Sequence, residues 1–112
     1  MDNCIFCKIA AGEIPSKKIY EDERVMAFYD IAPAAPVHVL IIPKEHVLKS
    51  AREITDEHAA LIAHIYQVIA RLADELKLDG GYRVVTNAGP DAGQTVMHLH
   101  FHLLGGKLGP MA

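Results

Sequence analysis

The sequence predicts an α+β domain, an antiparallel sheet with a helix on one face. Three observations carry this. The 112 residues suit one ordinary domain and are too few for two. Short strand-like runs come first, one long amphipathic stretch follows, and further short runs close the chain. The last run alternates histidine with apolar residues, the two-residue period of a strand. No internal repeat, low-complexity tract or linker divides the chain, so residues 1–112 read as a single domain.

Residues 4–11 suit one short helix, closed by Gly12. Ile14-Pro15 then reads as a turn or an extended connector, because the residue before proline avoids the helical region. Residues 18–21 and 25–30 read as two short strands around the polar turn Asp22-Glu23-Arg24. Pro33 and Pro36 mark a loop. Residues 37–42 are rich in β-branched side chains and end at Pro43, and a continuous apolar strand of this kind is usually central, with both faces covered. Residues 55–78 form the clearest helix. Thr55 is a good N-cap, and Asp56 and Glu57 suit the positive end of the helix dipole. Leu61, Ile65, Ile69, Leu72 and Leu76 recur at spacings of three and four and make one apolar stripe. Gly80-Gly81 ends it. Residues 82–86 read as a strand, residues 87–95 as a small polar loop with glycines, and residues 98–104 as the last strand, ended by Gly105-Gly106.

Composition narrows the function. Hydrophobic residues are 51% of the chain, enough for a core and for an apolar surface that a second subunit could cover. The formal net charge is −3 with histidines neutral, against the dense basic face that long nucleic acid requires. A mononucleotide needs only a few local donors, and no acid follows Asp91 to repel an anion near the histidines. Two cysteines, Cys4 and Cys7, are too few for a disulfide scaffold. The first residues lack the basic start and apolar stretch of a signal peptide. The longest apolar run, residues 32–43, is broken by prolines and His38, so no membrane span is expected. The expected location is the cytoplasm.

In residues 98–104, Leu99, Phe101 and Leu103 share one face of a strand, and His98, His100 and His102 share the other. The apolar face suits the long helix, and the histidine face is expected to border a cleft or solvent. Two chemistries fit such a row. Histidines at i and i+2 can share a metal, but the third sits about 13 Å from the first along an extended strand, too far for one ion to hold all three. The other chemistry is nucleophilic and acid–base catalysis on phosphorus. A neutral imidazole attacks well, and one imidazolium disfavours a second beside it, so the row should mix protonation states. The preceding loop, with Asn87, Gly89, Gly93, Gln94 and Thr95, offers amide, hydroxyl and backbone donors for a phosphate.

The segment Gly93-Gln94-Thr95-Val96-Met97-His98-Leu99-His100-Phe101-His102-Leu103-Leu104 resembles the signature of the histidine triad (HIT) family of nucleotide hydrolases and transferases. The likeness extends to Ile5-Phe6-Cys7-Lys8-Ile9, Glu13-Ile14-Pro15, Ala27-Phe28-Tyr29-Asp30-Ile31 and Pro36-Val37-His38. The tail Leu103-Leu104-Gly105-Gly106, with Leu108-Gly109-Pro110-Met111 after it, is similar to the HINT branch, the purine nucleoside phosphoramidases. Thr95 stands where HINT members often carry serine, and threonine there also occurs in the dinucleoside polyphosphate branch.

The resemblance implies a five-stranded antiparallel sheet with one long and one or two short helices, working as a homodimer. It implies hydrolysis of purine nucleoside 5′-phosphoramidates of the AMP- or GMP-amine type. His100 would attack the α-phosphate and form a nucleotidyl-histidine. The backbone carbonyl of His98 would fix the tautomer of His100. His102 would contact the phosphate and assist the leaving group, and His38 would support the triad. Asp30 would bind the ribose, Phe28 and Ile31 would wall the base pocket, and Asn87, Gly93, Gln94 and Thr95 would surround the phosphate and leaving group. Other readings are a diadenosine polyphosphate hydrolase or nucleotidyl transferase, a non-catalytic nucleotide-binding module, and a zinc hydrolase using the triad as ligands.

Cys4-x-x-Cys7 is half a metal site by itself; reduced buried thiols or a redox disulfide are the other readings. Some members of the family resembled hold a structural zinc, which here implies Cys4, Cys7, His46 and His98 as ligands, with no metal needed for the chemistry. His58 and His64, on the helix, read as ordinary surface residues.

Overall fold

The computed structural model describes residues 4–110, so Met111 of the tail motif lies outside the described residues. The order is helix α1 (Ile5–Ala10), strands β1 (Lys18–Glu21), β2 (Val25–Tyr29) and β3 (Val37–Pro43), helix α2 (Ala59–Glu75), and strands β4 (Tyr82–Val85) and β5 (Phe101–Gly105). The five strands make one antiparallel sheet in the order β1-β2-β3-β5-β4, as the α+β reading expects.

The apolar run of β3 takes the central place, and alternation divides it between two cores. Val39 and Ile41 join Val25, Ala27, Leu99, Phe101 and Leu103 beneath Ile65, Val68, Ile69 and Leu72 of α2. Leu40 and Ile42 point the other way and join Met26, Phe28, Phe6 and Ile9. Thus α2 covers one face and α1 covers part of the other. Ile41, Ile65, Ile69, Leu72 and Leu103 are fully buried, and each contributes about 1.5–3 kcal/mol of burial.

Three boundaries depart from expectation by three residues or more. The last strand begins at Phe101, not His98. Pro43, the last residue of β3, has no N–H for the ladder, and the Leu99 N–H goes instead to the Leu48 carbonyl at 2.9 Å. The long helix is preceded by a 3₁₀ turn at Asp56–His58. His58 accepts the Thr55 N–H at 2.9 Å, playing the part that glutamate takes in a capping box. At the other end, α2 stops before Gly80-Gly81. Lys77 adopts φ 59°, and the Leu78 N–H reaches the Ala73 carbonyl at 2.9 Å, a left-handed helix stop.

His64 is not the plain surface residue expected. Its Nε2 lies 2.6 Å from Asp22 Oδ2, which also accepts the Tyr20 hydroxyl at 2.7 Å. Asp22 Oδ1 takes the N–H groups of Arg24 and Val25 at 2.7 and 2.9 Å. Burial pulls the Asp22 carboxyl up, but these donors outweigh it and hold it well below the usual carboxylate range. The cluster ties the β1–β2 turn to α2. No helix among the described residues is long and apolar enough to cross a membrane.

Candidate active site

The face of the sheet opposite α2 carries the histidines. His102 lies on β5 opposite Leu40, and His38 lies on β3. His98, at a bend, and His100 precede β5, and Leu99, Phe101 and Leu103 still face α2 as expected. The histidine face is more enclosed than expected. His98 has no exposure, and His100 and His38 are 8% and 6% exposed.

Hydrogen-bond partners fix each ring's tautomer. A carbonyl can only accept, so the ring nitrogen facing it carries the proton. His100 Nδ1–H donates to the His98 carbonyl at 2.7 Å, which leaves the Nε2 lone pair of His100 free. His98 Nε2–H donates to the Pro43 carbonyl at 2.8 Å, which leaves its Nδ1 lone pair as an acceptor facing the Cys4 and Cys7 sulfurs. His38 Nδ1 accepts the Ala34 N–H at 3.0 Å, so its proton sits on Nε2 and is donated to His102 Nδ1 at 2.8 Å. His102 then carries its own proton on Nε2. The site therefore presents one imidazole with a free lone pair beside another with a free N–H, ring centroids 5.1 Å apart.

Burial is the main force on their ionisation. It pushes His102 down to about 4, with His100 and His38 adding repulsion. It lowers His100 as well, against the pull of the His98 carbonyl and Asp30. Both rings are neutral near pH 7, the form that attacks or donates without prior deprotonation.

Two groups of side chains have metal-ligand composition, and the tautomers separate them. Cys4 Sγ and Cys7 Sγ lie 3.2 and 3.5 Å from His98 Nδ1, and His46 Nδ1 lies 3.5 Å from Cys7 Sγ. All four ligand atoms fall within 4.8 Å of one another. Zinc bonds of about 2.3 Å to sulfur and about 2.0–2.1 Å to nitrogen at tetrahedral angles place those atoms about 3.5 Å apart. The lone pair of His98 points at the sulfurs, so the donor set fits a closed zinc site. Without a cation, burial and the neighbouring Cys4 push the Cys7 thiol up to about 11, so a metal must displace protons to bind. The second group is Asp30, His38 and His102. There the His38 Nε2 carries a proton and faces His102 in a hydrogen bond, which makes a proton relay and not a ligand set.

Asp30 Oδ1 is pinned by the Ala32 N–H at 2.7 Å, and Oδ2 lies 3.6 Å from His38 Nε2. Asp30, Ile31 and His38 line a cavity of about 730 Å³ with Tyr29, Pro15 and Lys17. Ile31 is 99% exposed at its mouth. Phe28, expected as a wall of a base pocket, is buried against Phe6, with ring centroids 5.8 Å apart. It underlies the site and does not line that cavity.

Gln94 is buried within the loop that precedes the histidines. Its Nε2 donates to the carbonyls of Lys49 and Val96 at 2.7 and 3.0 Å, and its Oε1 accepts the Gly89 N–H at 2.9 Å. Both polar groups of this buried side chain are hydrogen-bonded, so it braces the loop. Gly89 sits at φ 92°, where a Cβ would stand 2.9 Å from the Arg52 guanidinium. Asn87 is half-buried, and Gly93 and Thr95 are exposed on the same loop.

Sequence reasoning assigned no role to three supporting groups. Phe6 sets its ring edge-on to His100 at 4.9 Å. The Thr86 hydroxyl donates to the His100 carbonyl at 2.7 Å. Pro43 supplies the carbonyl that orients His98. Only the spacing of Phe6 between the cysteines hinted at any of them.

A five-stranded sheet carrying alternating, tautomer-locked histidines defines a histidine-triad protein. The family model "HIT domain" matches residues 11–109, and the chain belongs to the HIT domain family. It is similar to a structure described as a HIT family hydrolase from Clostridium thermocellum, 52% identical with a TM-score of 0.94, covering 99% of this chain and 97% of that one. A histidine triad nucleotide-binding protein from Candida albicans is 41% identical with a TM-score of 0.81, covering 98% and 84%. A protein from Zea mays named "14 kDa zinc-binding protein" is 46% identical over 92% of this chain and 81% of its own length.

Proposed function

We propose that this chain is a nucleotide hydrolase that cleaves the P–N bond of purine nucleoside 5′-phosphoramidates. The observation that carries the reading is the His100 Nδ1–H bond to the His98 carbonyl, which leaves Nε2 as a free lone pair. His100 Nε2 attacks the α-phosphorus, the P–N bond breaks, and a nucleotidyl-histidine forms. His102 directs its Nε2–H at the phosphate oxygens and assists protonation of the departing amine, oriented by His38. Water then attacks the phosphorus, releases the nucleoside monophosphate and restores His100. Its proton replaces the one the amine carried off.

Asp30 binds the ribose at the mouth of the 730 Å³ cavity, with Ile31 against the base. Asn87, Gly93 and Thr95 surround the phosphate. Cys4, Cys7, His46 and His98 would hold one zinc whose closed shell anchors the fold and takes no part in the chemistry. The names of the Clostridium, Candida and Zea relatives agree with hydrolysis, nucleotide binding and zinc in turn. The protein works in the cytoplasm as a homodimer; edge strand β4, with Tyr82 44% exposed, leaves backbone groups and apolar surface for a second copy.

The test is a turnover panel of adenosine and guanosine phosphoramidates alongside diadenosine polyphosphates. The expected result is faster cleavage of the amides, with His100→Ala losing turnover while still binding AMP. Near-normal turnover by His100→Ala would remove the nucleophile assignment, and faster cleavage of the dinucleotides would move the protein to the polyphosphate branch.

A further inference from the structure

His98 joins two things that are usually separate. Its ring is held between the Pro43 carbonyl at 2.8 Å and the two sulfurs at 3.2 and 3.5 Å. Its own carbonyl holds His100 Nδ1–H at 2.7 Å. One fully buried residue therefore links the thiols to the nitrogen that faces the His98 carbonyl.

The thiols are also reachable. Cys4 and His46 line a cavity of about 480 Å³ on the exposed side of Thr95 and Lys49, and both cysteines are only partly buried. The two cysteines are three residues apart at the start of α1, with their sulfurs within 4.8 Å. Neighbours at helical spacing have Cβ atoms about 5–6 Å apart and a disulfide needs about 3.5–4.5 Å, so the bond requires a small approach, which Cys4 can make because it is the extended N-cap residue outside the helix.

We propose that Cys4 and Cys7 form a redox modification site that switches off His100, resting on the reading of His100 as nucleophile. Hydrogen peroxide is the oxidant. The Cys4 thiolate takes one peroxide oxygen and becomes a sulfenic acid, and the other oxygen leaves as water. The Cys7 thiolate then attacks that sulfur, closes the S–S bond and expels the second oxygen as water. The two sulfurs give up two electrons, and solvent supplies the two protons when a zinc ion leaves in their place. A disulfide offers His98 Nδ1 neither a cation nor an S–H donor. The buried ring loses that partner, and the carbonyl that orients His100 loses its anchor. Reduced, zinc-free protein keeps S–H donors facing His98 Nδ1, so it ranks between the loaded and the oxidised forms.

The experiment treats zinc-loaded protein with hydrogen peroxide, stops it with catalase, and follows four signals on one sample. These are zinc release to a chromogenic chelator, intact mass, ¹⁵N resonances of the imidazoles, and turnover of an AMP-amide. Zinc release should track the loss of two hydrogens. The His100 nitrogens should pass from one tautomer to a mixture. The kcat should fall on the order of tenfold or more with KM little changed, the scale of losing an outer-shell partner. Dithiothreitol with added zinc should restore all four signals, which it cannot do for methionine sulfoxide. Disulfide formation with an unchanged His100 spectrum overturns the coupling, and zinc retained under peroxide overturns the modification site. Because the nitrogen spectrum needs no substrate, absent turnover on every amide would refute the proposed activity without deciding this switch.

Discussion

Acidification should destabilise this protein through His102, and the size follows from its surroundings. Burial first, then the neighbouring His100 and His38, push its ionisation from 6.5 down to about 4. In the unfolded chain the ring takes its proton near the ordinary value of about 6.5. Between those two values the unfolded state binds more protons than the folded state, so stability rises with pH across the window. The contribution is complete above about pH 6.5, declines as pH falls, and levels off below about 4. At about 1.4 kcal/mol per unit, the full loss is on the order of 3 kcal/mol. Urea denaturation at a series of pH values from 7.5 to 4, on wild type and His102→Gln, measures it. His98 and His100 are lowered in the same direction and remain in both proteins, so the difference between the two curves reports His102 together with its repulsion from His100 and His38. The variant should lose about 3 kcal/mol less than wild type over that range. Parallel curves, or a His102 midpoint near 6.5 by NMR titration, would refute the reasoning.

Other outcomes follow from the same contacts. His38→Ala removes the donor that fixes the His102 tautomer, so kcat should drop on the order of 10- to 100-fold with KM nearly constant, read from steady-state kinetics. Gln94→Ala leaves the Gly89 N–H and the Lys49 and Val96 carbonyls without their partner, which should cost about 1–3 kcal/mol in denaturant unfolding. Zinc affinity, followed with a competing chelator, should weaken steadily as pH falls because protons compete for Cys4, Cys7, His46 and His98; affinity flat between pH 8 and 5 would count against that ligand set.

Much of the architecture was legible because it depends on period and on nearby residues. The alternation in residues 98–104 determined which side chains face α2, and Leu99, Phe101 and Leu103 pack there. The β-branched run before Pro43 marked the central strand, and the three- and four-residue spacings from Leu61 to Leu76 marked the long helix. Strand ends and helix stops were less legible, because Leu99 gives its N–H to Leu48, far away in sequence, and because the left-handed turn falls on Lys77 and not on a glycine that would mark it.

The sequence by itself determined the chemical inventory of the site: three alternating histidines, a fourth on the central strand, two cysteines and a polar loop. Only the tertiary structure decided the state of each. A ring's tautomer depends on which acceptor or donor faces it, and those come from Pro43, Ala34 and the His98 carbonyl, set by sheet pairing and loop path. Burial, also a property of the packed chain, keeps His100 and His102 neutral. The same packing set Gln94 to brace the loop and placed Phe28 against Phe6, because a side chain's surroundings are decided only once the chain has closed.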